Sequence, residues 1–267
     1  MEIATGRDAP MIAALLQSYP RMRPALPDAH KRIYLEEYRR NRGTYGGALF
    51  RMTAALESWM HRRVARRRID GPVLELGAGT LNHLQYEPKL PYDIVEPMTA
   101  LFEDRPEIGL IARAYGSIFD IPGGTRYARI ISVAVLEHVE DLPRLVACSG
   151  LLLDRDGMFQ TGIPAEGGML WGLAWRMTTG IAYRTRTGLP YGPLMRHEHL
   201  NTAAEIISIV RHCFRSVAVS WFPLPHRQLS FYAYIEARDP DTKTCERLLS
   251  ATRTGLLGVK QPSPAGS

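Results

Sequence analysis

Three groups of residues in this 267-residue chain are of types and spacings that do chemistry. The first is the stretch Val73-Leu74-Glu75-Leu76-Gly77-Ala78-Gly79-Thr80, an apolar run that ends in an acid and two glycines one residue apart. Glycines at such a point let the backbone turn sharply and approach a ligand with no side chain in the way. The second is Glu96 in Tyr92-Asp93-Ile94-Val95-Glu96-Pro97, about twenty residues further on. An acid at that distance can accept hydrogen bonds from both hydroxyls of a ribose. The third is a set of histidines: His138 in Val135-Leu136-Glu137-His138, and His197 and His199 in Met195-Arg196-His197-Glu198-His199. Histidine titrates near neutrality and is the usual side chain for moving a proton at physiological pH.

The glycine loop and Glu96 imply a nucleoside-containing cofactor and leave a nicotinamide dinucleotide and S-adenosylmethionine both open. A third glycine is expected two or three residues after Gly79; Leu81 and Asn82 stand there. His83 reads as a residue that packs or hydrogen-bonds locally. His197, Glu198 and His199 could also ligate a metal, but two histidines and a glutamate on a loop favour no metal site.

These residues need a scaffold, and the texture of the chain supplies one. Short apolar strands are expected at 73–76, 92–95, 110–114, 130–135 and 158–163, alternating with helical stretches that include 138–152. Such alternation predicts a mainly parallel sheet with helices on both faces. Asn201 or Thr202 caps a helix that runs to about His212. Strands at 216–220 and 229–237, separated by Phe222-Pro223-Leu224-Pro225-His226, read as a hairpin, so at least one runs against the rest. Before the sheet, a short helical segment carrying Ile33, Leu35 and Tyr38 breaks at Asn41-Arg42-Gly43. A second helix follows, with Leu49, Met52, Leu56, Trp59 and Met60 at three- and four-residue steps. The tail QPSPAGS is disordered by composition.

The succession of VLELGAG, YDIVEP, YGSIFDIP (Tyr115 to Pro122), ISVAVLEHVEDLPRLV (Ile131 to Val146) and LLLDRDGMFQTGIP, closed by a strand hairpin, resembles the class I S-adenosylmethionine-dependent methyltransferases, in particular their small-molecule and quinone-type branch. It does so well over 70–163 and more loosely over 200–237. The resemblance implies a Rossmann-like seven-stranded, mostly parallel sheet with a C-terminal antiparallel hairpin and an N-terminal helical lid. It further implies a lid over 1–69, a cofactor-binding domain over 70–238 with a substrate insert at 165–198, and a C-terminal segment over 239–267. Glu75, Gly77, Ala78 and Gly79 would lie against the methionine and ribose of S-adenosylmethionine, and Glu96 would hold the ribose. Ser117 stands where the family often has an aspartate at the adenine, with the Ile118 backbone beside it, and Val135 and Leu136 would line the transferred methyl. The acceptor is then a small molecule or a glycan- or lipid-linked group methylated at oxygen, with His138, His197 or His199 as base. A cofactor-binding protein without catalysis and an NAD-dependent oxidoreductase are the alternatives.

Composition narrows the setting. Hydrophobic content of 45% and charged content of 22% are those of a globular protein, and no apolar run has the length of a transmembrane helix. The first residues, with an acid at position two, do not read as a secretory signal. Cys148, Cys213 and Cys245 form no CxxC pair, which favours a reducing, cytoplasmic setting. The net charge of +6 is carried almost wholly by arginine. The run His61-Arg62-Arg63-Val64-Ala65-Arg66-Arg67-Arg68 reads first as a solvated helix end whose cations favour the negative pole. It lacks the interleaved aromatics of a nucleic-acid surface, and no nucleic-acid partner is expected. In the insert, Met169, Trp171, Trp175, Met177, Tyr183 and Tyr191 read first as walls of an acceptor pocket. The same amphipathic stretch, with Leu170, Leu173 and Ala174, reads second as a peripheral contact with a membrane or a partner chain.

Overall fold

A computed structural model describes residues 8–33, 58–87 and 91–255. Seven strands form one sheet: β1 (Val73–Leu76), β2 (Tyr92–Val95), β3 (Arg113–Tyr115), β4 (Tyr127–Val133), β5 (Leu153–Pro164), β6 (Phe214–Pro223) and β7 (Ser230–Pro240), in the order β3-β2-β1-β4-β5-β7-β6. The first five are parallel, and β7 runs antiparallel to both β5 and β6. The expected sheet with its C-terminal hairpin is thus present: β1 and β2 have the expected bounds, and β5, β6 and β7 run longer than their apolar runs. β4 starts earlier than expected and ends at Val133 rather than 135, and the third is shorter: 110–112 belong to a 3-10 turn and its exit, and only Arg113–Tyr115 pairs with β2. Short central strands buried on both faces, VLEL and YDIV, need no polar side.

The helices are α1 (Asp8–Gln17), α2 (28–33), α3 (58–65), α4 (Leu142–Leu152), α5 (Met169–Trp175), α6 (Ile181–Thr187), α7 (Gly192–Glu198), α8 (Ala203–Cys213) and α9 (Thr242–Gly255). On one face of the sheet Leu74, Leu76, Ile130 and Phe159 pack with Val146 of α4, Ile206 and Val210 of α8 and Cys245 of α9. α8 starts where the polar residues predicted. Thr202 accepts from the Glu205 N–H, and the Glu205 carboxylate takes the Thr202 N–H at 2.8 Å, a capping box. The 138–152 stretch is two elements, a 3-10 turn at Leu136–His138 and then α4, which opens with Pro143 in its first turn. α9 was not anticipated in a segment read only as a C-terminal extension.

The opposite face is covered differently. Val64 and Trp59 of α3 pack there with Tyr92, Ile94, Ile131 and Tyr234. Among the described residues no α-helix joins the glycine loop to β2; the chain makes turns over 79–83 and one 3-10 turn at Leu84–Tyr86. Buried polar pairs secure it. Arg129 of β4 donates to both oxygens of Glu87 at 2.8 and 3.1 Å and to Gln160 at 3.0 Å, while Glu87 also takes His83 Nε2 at 3.0 Å. His83 is therefore fully buried against Glu87 and His61. Leu81 and Leu84 are buried, as their apolarity demands. The breaker Asn41-Arg42-Gly43, the helix face Leu49, Met52 and Leu56, and the tail QPSPAGS lie outside the described residues.

The insert is more ordered than its sequence texture suggested. α5, a π turn at Arg176–Gly180 and α6 form one continuous helical rod, followed by Gly188 in the left-handed conformation and then α7. No helix among the described residues is long and apolar enough to cross a membrane.

Candidate active site

The glycine loop leaves β1 at the carboxyl edge of the sheet. Gly77 and Gly79 both have positive φ, 65° and 52°, a conformation that favours glycine. Their tasks differ. A Cβ on Gly77 would sit 2.5 Å from Val135 Cγ2, so glycine there lets the loop press on the residue that follows β4. A Cβ on Gly79 would meet nothing within 4 Å, so that face of the loop is open. Leu81, standing where a third glycine was expected, adopts φ 63° all the same. The turn is kept, and burial of the leucine side chain offsets the strain of a left-handed Cβ.

Glu96 follows β2 and faces the same loop. One of its oxygens accepts from the Gly79 N–H at 2.8 Å and the other from the Met98 N–H at 3.0 Å. The carboxylate is fixed between two loops, and each oxygen retains a lone pair for a further donor. Ser117 caps the 3-10 turn Ile118–Asp120 by accepting from the Phe119 N–H at 3.3 Å, and Ile118 is buried beneath it. Glu75 is buried on β1 and accepts from the Tyr92 hydroxyl at 2.8 Å; burial pushes its carboxyl up to about 7. An open backbone face above Gly79, beside a carboxylate held ready for two donors, fits the ribose of a nucleoside cofactor.

The histidines are brought together from distant segments. His138 ends the 3-10 turn after β4, and its N–H bonds back to the Val135 carbonyl at 2.9 Å. His199 follows α7, and the two rings meet edge to face with centroids 4.9 Å apart. His138 Nδ1 lies 2.7 Å from the Glu198 carbonyl, so Nδ1 carries the proton and Nε2 is the acceptor of the neutral ring. His199 Nδ1 lies 3.0 Å from Glu166 Oε2, which also accepts from Trp171 Nε1 at 2.6 Å. Burial pulls the His199 imidazole down, but the Glu166 hydrogen bond and the nearby Glu137 and Glu198 carboxylates outweigh it and leave its pKa raised. Burial likewise pushes Glu166 up, and the hydrogen bonds from His199 and Trp171 bring it below the usual carboxylate value. His197 does not join them: its Nδ1 is 2.8 Å from the Pro24 carbonyl. Among the described residues no three His, Cys, Asp or Glu side chains converge as metal ligands.

Beside His199 opens a cavity of about 430 Å³, lined by Glu166, Met169, Trp171, Trp175, Met195 and Arg196 among others. Trp171, Trp175 and Met169 therefore wall it as expected. Met177 instead points to solvent, and Tyr183 packs under the N-terminal arm with Leu26 and Leu194. That arm latches over the histidine segment. Tyr19 donates to Asn201 at 2.7 Å, Arg21 pairs with Glu205 and the Leu200 carbonyl, and Arg23 donates to the carbonyls of His138 at 2.7 Å and His197 at 3.0 Å.

Several of these residues escaped sequence reading. Glu166 sits in a glycine-rich stretch with no motif around it, and its partner is 33 residues away. Asn201 donates from its amide nitrogen to the carbonyls of Leu136 and Val139, both at 2.8 Å, whereas its position before a helix suggested only a cap. Glu137 was visible inside VLEHVED, but not that it is buried with Oε2 lacking a partner among the described residues.

No protein-family model matches this chain, and no curated protein matches it in sequence. Among solved structures, it is similar to a SAM-dependent methyltransferase, possible histamine N-methyltransferase, from Thermotoga maritima, with a TM-score of 0.52 and 14% identity over 78% of this chain and 97% of that one. More distant in shape are the N-methyltransferase NodS from Bradyrhizobium japonicum WM9 in complex with S-adenosyl-L-homocysteine, at a TM-score of 0.48 and 14% identity over 70% of this chain and 87% of that one, and the glycopeptide N-methyltransferase MtfA complexed with S-adenosyl-L-methionine, at 0.47 and 18% over 69% and 87%. At such identities the Thermotoga likeness is one of fold: the chain has the class I methyltransferase fold.

Proposed function

We propose that this protein transfers a methyl group from S-adenosylmethionine to a hydroxyl of a small-molecule or glycan- or lipid-linked acceptor, with His199 as general base. The observation that carries the reading is the continuity of the site. Gly77 presses on Val135, Val135 leads in one turn to His138, His138 meets His199, and His199 with Glu166 borders an aromatic cavity. The strand order supports the same reading, since a dinucleotide fold of 3-2-1-4-5-6 order lacks the antiparallel β7 inserted between β5 and β6.

Each residue has a task. Glu96 would hold the ribose hydroxyls, with Gly79 leaving the approach clear, and Ser117 and Ile118 would stand at the base. Glu75, Gly77 and Ala78 would back the methionine portion, with Val135 beside the reacting methyl. When bound, S-adenosylmethionine supplies an electrophilic methyl on a good leaving group. His199 would take the proton of an acceptor hydroxyl at Nε2, while Glu166 would steady the imidazolium through Nδ1. Trp171 and Trp175 hold the acceptor in line and exclude water. His138 orients His199 edge-on and is the second candidate base; His197, bonded to the arm, leaves the set.

The test is calorimetry with S-adenosylhomocysteine, followed by a methyl-transfer assay over phenolic, sugar and lipid-linked hydroxyls. Binding is expected, and Glu96→Ala should weaken it roughly 30-fold or more by removing charge-assisted bonds of about 2 kcal/mol. No binding together with no transfer to any acceptor would overturn the proposal; unchanged affinity in Glu96→Ala would overturn the ribose assignment alone.

A further inference from the structure

The rod formed by α5, the π turn and α6 turns one side inward, where Trp171 meets His199 and Tyr183 is buried. Its other side carries Met169, Leu173, Met177 and Ile181, which are 74, 55, 62 and 57% exposed. Four large apolar side chains at four-residue steps would drift about 40° per step around a pure α-helix. The wider π turn at 176–180 winds more slowly and brings the drift back, so the four remain a single stripe. The adjoining turn extends it: Gln228 accepts from the Met169 N–H at 2.9 Å, and beside it Leu224 and Leu229 are exposed. Exposed apolar side chains this numerous and contiguous mark a surface that meets something.

Charge selects the occupant. Between Glu166 and Glu198 the sequence has four arginines, Arg176, Arg184, Arg186 and Arg196, and no Asp or Glu. A second copy of the chain meeting this face across a two-fold axis would set arginines against arginines. An anionic bilayer complements both features, taking the stripe into its acyl boundary and the arginines among its headgroups. We propose that this helical rod docks the protein, lying flat, on an anionic lipid surface. The cavity shares Met169 with the stripe and Arg176 with the arginines, so its mouth would meet the headgroup layer. If the methyltransferase reading holds, the acceptor is then an amphiphile whose polar head enters toward His199 while its apolar part stays in the bilayer.

Vesicle sedimentation tests the docking without any assay of activity. The full chain is mixed with vesicles of phosphatidylcholine alone, or of phosphatidylcholine and phosphatidylglycerol at three to one. Wild type should pellet with the anionic vesicles, with a blue shift of tryptophan emission, and at least ten-fold less with the neutral ones. Leu173→Gln with Met177→Gln should lose that binding ten-fold or more. Arg184→Gln with Arg186→Gln should weaken it several-fold on anionic vesicles only, and added salt should mimic that change. Circular dichroism and S-adenosylhomocysteine affinity, expected to match wild type, separate this outcome from misfolding and from failure of the methyltransferase reading. Wild type left in the supernatant, a stripe variant that pellets like wild type, or a wild-type dimer that the stripe substitutions convert to monomer would each overturn the proposal.

Discussion

Gly77→Ala is the perturbation whose effect can be worked most closely from the coordinates. Two costs add. The residue sits at φ 65°, where a Cβ costs about 1 kcal/mol. The new methyl would also lie 2.5 Å from Val135 Cγ2 and 2.8 Å from Cγ1, well inside the 3.5–4.0 Å of a favourable carbon contact. Overpacking of that kind costs about 1–3 kcal/mol, giving a total of about 2–4. Val135→Ala removes both γ carbons and leaves only the Cβ, at 3.3 Å. Urea denaturation of wild type, both single variants and the double variant closes a mutant cycle. The double variant should be more stable than the sum of the singles by about 1–3 kcal/mol, because the two closest contacts are gone and mainly the dihedral cost remains. Gly79→Ala is the control: at φ 52° with open space before it, it should lose about 1 kcal/mol and show no coupling to Val135. It should nevertheless weaken S-adenosylhomocysteine binding, since its methyl enters the face assigned to the cofactor. Additivity of Gly77→Ala and Val135→Ala to within about 0.5 kcal/mol would refute the claim that the loop is seated on Val135.

Three further outcomes follow from the titrating groups. A base must be neutral to accept a proton, so kcat/KM should rise with pH through a His199 pKa raised above 6.5; Glu166→Gln should shift that limb to lower pH and lower its plateau, and an unmoved limb would remove Glu166 from the mechanism. The pair's contribution to stability should be fully present between the two ordinary values, 4.5 and 6.5, fading below as Glu166 protonates through its depressed pKa and above as His199 deprotonates through its raised one. Glu75 behaves oppositely to a salt-bridged acid: its folded pKa, about 7, lies above its ordinary 4.5, so it destabilises the fold increasingly as pH rises across that interval. Glu75→Gln, which can still accept from Tyr92, should flatten this loss and be more stable than wild type at pH 8 by about 3 kcal/mol at most; parallel pH profiles in urea melts would contradict it.

What was legible in the sequence divides along the sheet. Runs such as VLEL and YDIV declare buried strands because most of their residues are apolar and the flanks are turn-formers, and the residue after each run, Gly77 or Glu96, falls at the carboxyl edge by construction. The segment after Gly79 is not α-helical for a physical reason. Helical order there would need a covering apolar face, whereas the chain spends His83 and Glu87 on a buried clamp to Arg129 from another strand. A clamp between residues 42 apart leaves no periodic trace. The left-handed Leu81 is similar: its conformation is that of a glycine, and only its buried surroundings explain why a leucine holds it. α9 was missed because its charged face dominates a composition in which Cys245 and Leu248 are the inward residues.

The acceptor half of the site is hidden by the same logic, more severely. The residues proposed for the cofactor sit on β1, as Glu75 does, or within a few residues of a strand's carboxyl end, so strand periodicity places them. The acceptor side is built where three segments meet: the arm at 19–24, the turn after β4, and the insert from Glu166 to Asn201. What joins them is largely side chain to backbone, as with Arg23 to the His138 carbonyl, Asn201 to the Leu136 carbonyl and His197 to the Pro24 carbonyl. A carbonyl is offered by every residue, so such bonds constrain only one partner's identity and cannot be read as a pattern of two. Side-chain pairs also join them, Arg21 with Glu205 and Tyr19 with Asn201, but the pair that borders the cavity is Glu166 and His199, and its meaning appears only when Trp171 and the cavity are seen beside it. Selectivity for an acceptor, under the proposed reading, would therefore rest on contacts that sequence does not spell, while the pair proposed to handle the proton can still be tested by one carboxylate-to-amide substitution.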